Sequence, residues 1–467
     1  MRTRGKKREV CDTEERTMAR DLTTGSVWKQ LIIFALPFML ANLLQTLYTM
    51  VDAMIVGQFV GAEALAAVTS CGTLVEFYTM IGIGFASAGQ IIIAQYLGRR
   101  DQQAVSLMIG TLFTCLLSFA VVMSVFCLAA VNLQLDWINV PAESLEAGRR
   151  YTITCACGFL FIYGYNCVSS ILRGMGDSKR PLVFVAIASC MNVLLDLLFV
   201  VGFQWGALGA ALATIMGQGF SFVVSLIYLF RRRDAFGFDF RPRSFLPTRK
   251  SFGMLIRLGT PMALQYAAIL ISMLFVNAQI NAYGVAAAAV TGVGSKLEGI
   301  LRIVSNSMGT AGSAMVAQCV GADKRDRVPK VVNCILLVCQ TEAVLFSLLL
   351  FCFPQQVFGL FNRDAEVLAL SVMYRIPAII GYLGFAFRAA YNSVVNGIGF
   401  ASLGMVSGML DGVVARIGLA MLFGSVLGFG IQGYWIGSAL AGYVSALIAG
   451  IYYYSGRWKT RELITQK

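Results

Sequence analysis

Six carboxylates sit inside otherwise apolar runs of this 467-residue chain: Asp52, Glu76, Asp196, Glu298, Glu342 and Asp411. An ionisable group in hydrocarbon costs about 2.5–3.5 kcal/mol on insertion scales and usually faces a polar cavity, so each is a candidate site. Asp52 and Asp196 reach a common depth. Asp52 lies late in the first apolar helix, and Asp196 follows Pro181 by 196 − 181 = 15 residues in another helix running the same way, a rise of about 22 Å at helical pitch. Asn192 stands one turn before Asp196 on the same face, and Thr214 and Tyr151 enter at that level from the outer side. Two carboxylates, an amide and hydroxyls at one depth can hold a hard cation through oxygen ligands, or share a proton. The competing reading is structural, with Asp52 capping a helix end and Asp196 bonding a neighbour. The chain has no His, so any proton chemistry falls to carboxylates.

The remaining acids read differently. Glu298 has Arg302 four residues on and Lys296 nearby, which suggests an ion pair within one helix; Glu76 has no such partner. Both are expected to serve structure or gating. Asp411, with Arg416 five residues on, is expected to join a polar network that includes Arg388. Nothing in the sequence decides the role of Glu342.

The elements that position these groups are membrane helices. Hydrophobic residues make up 58% of the chain and charged residues 13%, with a mean hydropathy of +0.73, against about 25% charged in soluble domains. Runs such as Ala104 to Val131 and Val331 to Phe353 have the length needed to cross hydrocarbon as helices, and they are continuously apolar rather than alternating, which excludes a barrel. Basic residues cluster at every second helix end, at Arg99–Arg100, Lys179–Arg180, Arg231 to Lys250, Lys324 to Lys330 and Arg457 to Arg461, and the intervening loops around Gly57 to Gly61, Gly202 to Gly206, Asn281 to Gly284 and Gly424 to Gly430 carry no Lys or Arg. This alternation is the positive-inside pattern; it predicts an even helix number, about twelve, with both termini in the cytoplasm of a multi-pass protein of the cell membrane. Topology thereby accounts for the net charge of +13, and no basic patch is left to suggest nucleic acid. The 12 cysteines lie scattered in apolar helices and read as small apolar filler rather than metal ligands. No phosphate-binding loop is present, so no ATP-driven engine is encoded here.

The chain also repeats itself. Ala66-Ala67-Val68-Thr69, Gly72 and Glu76 recur as Ala288-Ala289-Val290-Thr291, Gly294 and Glu298, an offset of 291 − 69 = 222; Ala94-Gln95-x-x-Gly98 recurs at 318 − 95 = 223, and Pro37 recurs as Pro261 at 261 − 37 = 224. The fold class expected is all-α integral membrane, about twelve helices in two homologous six-helix lobes. The organisation expected is a basic cytoplasmic tail at 1–27, a first lobe at 28–231, a cytoplasmic linker at 232–250, a second lobe at 251–456 and a cytoplasmic tail at 457–467. Two related halves that rock about a central site are the architecture of secondary transporters.

The residues resemble the multidrug and toxic compound extrusion (MATE) family from about Gly25 to Trp458. The resemblance is carried by Leu36-Pro37, Gln45-x-x-Tyr48-x-x-x-Asp52-Ala-x-x-Val56-Gly57, Ala94-Gln95-x-x-Gly98, Arg173-Gly174-x-Gly176-Asp177 and Asn192-x-x-x-Asp196. It implies antiport without a cofactor, in which H+ or Na+ enters as an organic cation or amphipathic substrate leaves. It also implies coupling through Asp52, Asn192, Asp196 and Thr214, with Gln45, Tyr48 and Tyr151 lining the substrate cavity, and structural or gating roles for Pro37, Glu76, Glu298 and Arg416. Some members carry a further acid in the seventh helix, but Thr260 to Tyr283 has none, nor has Tyr374 to Asn396 in the tenth. A lipid-linked oligosaccharide flippase shares the broad architecture; it should line its cavity with basic residues at mid-depth, and the first lobe has none. An integral-membrane enzyme such as a prenyltransferase would need paired Asp motifs at the cytoplasmic face, which the chain lacks.

Overall fold

The computed structural model describes residues 20–466 apart from 139 and 141, so most of the basic segment expected at 1–27 lies outside the described residues. Every regular element among the described residues is helical. Twelve long spans follow one another: α1 Val27–Phe59, α2 Ala62–Gly98, α3 Gln102–Ala129, α4 in two pieces (Leu145–Cys157 and Phe159–Gly174) bent by 47°, α5 Lys179–Gly202, α6 Gly206–Arg231, α7 Arg249–Asn281, α8 Val285–Gly321, α9 Val328–Cys352, α10 Ala365–Gly397, α11 Ala401–Val426 and α12 Gly430–Tyr454. The apolar runs Ala104 to Val131 and Val331 to Phe353 fall within a few residues of α3 and α9. Ten are long and apolar enough to cross a membrane, eleven with the two halves of α4 taken together. The remaining span, α8, carries Lys296, Glu298 and Arg302. Large apolar side chains such as Val125, Phe126, Leu447 and Ile451 point outward, the reverse of a water-soluble surface and suited to lipid.

Compact units divide inside two helices rather than in the segment 232–250. Among the described residues the first unit holds Arg20, Asp21 and Leu36–Gly259; the second holds Leu22–Ala35 and the residues from Thr260 onward. The changes fall one residue before Pro37 in α1 and one residue before Pro261 in α7. The duplicated Gln of the repeat serves this arrangement in the second unit, where the buried Gln318 Oε1 accepts the Leu22 N–H at 3.0 Å.

The repeat is written into the backbone. Left-handed residues recur in register: Gly61 and Gly284, Arg100 and Asp323, and Gly176 and Gly399 are each 223 apart (284 − 61, 323 − 100, 399 − 176), while Gln204 and Gly428, and Gly206 and Gly430, are each 224 apart (428 − 204, 430 − 206). The register therefore gains one residue between Gly399 and Gly428. The helix there, α11, contains a π-helical stretch at Leu410–Ile417, whereas its counterpart α5 is α-helical from Lys179 to Asp196. A π stretch is how a helix absorbs an inserted residue without breaking.

The segment after α6 is more than a polar tether. Phe236 and Phe238 are fully buried, Phe238 meets Phe245 edge to face at 5.2 Å, and Phe245 meets Phe113 of α3 at 5.9 Å. Gln102 Nε2 donates to the Phe236 carbonyl at 2.8 Å and Thr114 Oγ1 to that of Phe245 at 2.5 Å. Gly110 makes this docking possible: a Cβ there would lie 1.8 Å from the Ser244 carbonyl oxygen. Gly110→Ala is expected to cost about 1–3 kcal/mol, as overpacking does, and to lower the melting temperature of the detergent-solubilised protein. Gly253→Ala, where nothing stands within 4 Å, should leave it unchanged or raised; equal melting of the two variants would contradict the packing described.

Candidate functional site

In the first unit, α1, α4, α5 and α6 bring together Asp52, Tyr151, Asn192, Asp196 and Thr214. Helices α5 and α6 approach closely because Gly217 faces α5; a Cβ there would stand 3.1 Å from the Ala188 carbonyl and 3.3 Å from the Asn192 Cβ. That approach sets Asn192 Nδ2 at 3.5 Å from Thr214 Oγ1. One turn on, Asp196 closes the α-helical part of α5, where a π turn at Leu197–Gly202 begins. Its carboxyl meets that of Asp52 from α1. Tyr151 stands near Asp52 and Cys71 and within hydrogen-bond reach of Cys155, in one buried cluster with Val56, Val68, Ala207 and Ala211. Tyr48, one turn before Asp52, is half-buried beside Gln45, Gln218 and Tyr165, while Gln45 itself is exposed.

The electrostatics of this cluster are one-sided. Asp196 is 0% exposed, Asn192 3% and Asp52 8%. Both oxygens of Asp196, and Oδ1 of Asp52 and of Asn192, are buried without a hydrogen-bond partner. Two ionised carboxylates cannot donate to one another, so their contact becomes a hydrogen bond only when a proton is shared, and an attraction only when a cation lies between them. Buried acceptors in want of a donor are uncommon. Here four of them converge, and the oxygen set suits a proton or a hard monovalent cation.

The second unit holds a partly open cavity of opposite character, about 110 Å³ in volume. Its walls carry Arg302 of α8, Arg388 of α10 and Arg416 of α11, with Glu298, Tyr382 and Trp435. Glu298 stands 3.8 Å from Arg302, the pairing its spacing suggests. Asp411 lies behind the wall at 1% side-chain exposure, 3.1 Å from Arg416 and 3.7 Å from Arg388. In an α-helix residues five apart are turned about 140° from each other. The π stretch, which pairs i with i+5, brings Asp411 and Arg416 onto one side. Arg416 Nη1 also donates to Ser438 Oγ at 3.1 Å. The sequence gives no sign of this cavity beyond the basic lean of the second half: it places Arg388 and Arg416 in a network with Asp411 and gives Arg416 a structural or gating role.

The other candidates lie apart from both clusters. Glu76 is exposed on α2. Glu342 on α9 neighbours Cys339 and keeps one buried oxygen without a partner. Pro37 lies inside α1. Among the described residues no three His, Cys, Asp or Glu side chains are grouped to hold a metal.

The MatE family model matches this chain twice, over residues 37–198 and 261–422. The probable multidrug resistance protein YpnP of Bacillus subtilis is 28% identical over 96% of this chain and 100% of its own length, and YoeA of the same organism is 26% identical over 97% and 98%. Among solved structures, an outward-facing multidrug resistance MATE transporter of the MOP superfamily superposes with a TM-score of 0.88 at 22% identity, over 95% of this chain and 98% of that one. A Pyrococcus furiosus MOP superfamily transporter, described as having a binding pocket of reversed polarity, also reaches 0.88, at 21% identity over 96% and 99%. At such identities the structures establish the fold.

Asp411 neutralises two guanidiniums from a nearly sealed position. Asp411→Ala should therefore be strongly destabilising, by about 3–5 kcal/mol, because it strands buried charge. Asp411→Leu combined with Arg416→Met should regain much of the loss. Thermal unfolding of the three proteins in detergent measures this, and an Asp411→Ala protein as stable as wild type would show that the network carries no stability.

Proposed function

Because this chain belongs to the MatE family of membrane transporters, we propose that it exports organic cations or amphipathic molecules in exchange for H+ or Na+, coupling through Asp52 and Asp196. The observation that carries this reading is the convergence of four buried, donorless oxygens around two touching carboxylates. The protein is a transporter and not an enzyme, so the chemistry asked of the site is binding and release. A cationic substrate is drawn to ionised carboxylates and loses that attraction once a proton or Na+ neutralises them; differential affinity then links entry of one to exit of the other. Tyr48 and Tyr151 can add a cation–π contribution of about 0.5–2 kcal/mol. The names of the Bacillus relatives, probable multidrug resistance proteins, agree with this substrate class. The alternation of basic loops supports a cell-membrane location with both termini cytoplasmic.

Efflux of ethidium from proteoliposomes, driven separately by imposed pH and Na+ gradients, tests the proposal. Wild type should respond to at least one gradient, and Asp52→Asn and Asp196→Asn should each abolish the response while eluting as intact protein on size exclusion. Gradient-driven efflux at wild-type rate by Asp196→Asn would overturn the assignment of coupling to this pair.

A further inference from the structure

The cavity of the second unit is the first unit's site built again with its charge inverted. In the repeat register, Asp52 falls on the apolar pair Phe275–Val276 (offset 224 at Pro37 and 223 at Gly61), Asp196 on Ala420 (420 − 196 = 224), Asn192 on Arg416 (416 − 192 = 224) and Thr214 on Ser438 (438 − 214 = 224), while Tyr151 corresponds to Tyr374 (374 − 151 = 223). The contacts correspond as well. Asn192 donates to Thr214, and Arg416 donates to Ser438. Both carboxylates have become apolar, the amide has become a guanidinium, and the hydroxyl residues remain.

Donors in this cavity exceed acceptors. Arg416 divides its Nη groups between Asp411 and Ser438, and its Nε is buried without a partner. Arg388 makes only the 3.7 Å contact with Asp411 and stands over the Phe385 ring at 5.5 Å, leaving its guanidinium open to the cavity. The Tyr382 hydroxyl, on a residue 2% exposed, also has no partner. Three guanidiniums face two carboxylates, one of which lies behind the wall. A network serving structure alone would close these donors on acceptors of its own.

We propose that this cavity binds the carboxylate group of an amphipathic anion or zwitterion, held in the fork of Arg388 with Arg416 and Tyr382 donating beside it, while the Trp435 and Tyr374 side of the cavity takes the apolar body. Guanidinium and carboxylate match as paired donors and paired acceptors. The site lies wholly within the second unit and does not depend on the coupling role proposed for Asp52 and Asp196.

The test is equilibrium binding of dansylglycine to the purified full-length protein, with its methyl ester and dansylcadaverine as neutral and cationic controls. Dansylglycine should bind and the ester should bind at least about tenfold more weakly, the loss expected when a charge-assisted pair disappears. Arg388→Gln should weaken dansylglycine by a similar factor; it is expected to fold, because Asp411 keeps Arg416 at 3.1 Å. Arg388→Lys, which keeps the charge and loses the fork, should also weaken binding and serves if the Gln variant aggregates. Tyr382→Phe should weaken dansylglycine at unchanged melting temperature, since no protein hydrogen bond is lost. Asp52→Asn should leave dansylglycine affinity unaltered. Absence of dansylglycine binding, an ester that binds as tightly as the acid, wild-type affinity in both Arg388 variants, or loss of binding on Asp52→Asn alone would each overturn the proposal.

Discussion

Hydrocarbon offers no hydrogen bonds, so every polar group in a membrane-spanning segment must find its partner within the protein or stay unsatisfied at a cost. Most of this chain obeys that constraint by the shortest route. Thr46, Thr111, Thr291 and Ser313 each turn their hydroxyl back onto a carbonyl four residues earlier in the same helix, and Gln318 takes the Leu22 amide. The exceptions then carry meaning. Around Asp52, Asn192 and Asp196 of the first unit the unmet groups are acceptors; on the wall of the second unit's cavity they are donors, at Arg416 and Tyr382, with Asp411 Oδ2 an unmet acceptor behind that wall.

One inserted residue separates these two outcomes. The halves share turn positions, left-handed residues and helix order, so the scaffold delivers a side chain from α5 or α11 to an equivalent place beside the residue at 214 or 438. In α11 the extra residue is absorbed as a π stretch, which widens the turn until Asp411 and Arg416 share a side. The stretch thus does two things with one change of geometry. It lets the cavity wall carry a guanidinium where the first unit has an amide, and it supplies the carboxylate that makes this guanidinium tolerable. An arginine at that depth with nothing behind it would meet the full cost of a charge in an apolar surrounding.

Much of this was legible in the sequence, and the rest was hidden for identifiable reasons. Helix ends could be read because apolar runs and basic loops are long-range signals of composition, and the ion pair of Glu298 with Arg302 because a spacing of four has one meaning on a helix. The agreement in depth of Asp52 and Asp196 followed from helical rise alone. The cavity of the second unit did not follow. Its residues come from five helices, and Arg416 faces Asp411 only through a π stretch whose trace in the sequence is the change of repeat offset from 223 at Gly176 and Gly399 to 224 at Gly206 and Gly430. The docking of 232–250 was concealed by its charge: Arg231 to Lys250 reads as a tether, yet the aromatic residues between those charges are buried, and their seat depends on a glycine more than a hundred residues earlier. The division of α1 and α7 beside Pro37 and Pro261 was equally hidden, because an uninterrupted helix gives no sign that its two ends belong to different compact units.

The energetics of unmet acceptors also bear on how such a site works. A buried group without a partner costs about 1–3 kcal/mol, a sizeable share of the roughly 5–15 kcal/mol that stabilises a typical domain. The donorless oxygens of Asp52, Asn192 and Asp196 are therefore a cost that the surrounding helices sustain, while Gly217 lets α6 bring Thr214 against Asn192 beside them. A proton or cation entering such a site would relieve this cost, and the free energy released would be available only where the oxygens converge. An ion held equally well by every arrangement of the helices would shift nothing, however tightly it bound. Under the coupling proposed above, rigid placement of poorly satisfied oxygens is what would allow a small ion to favour one arrangement of the helices over another.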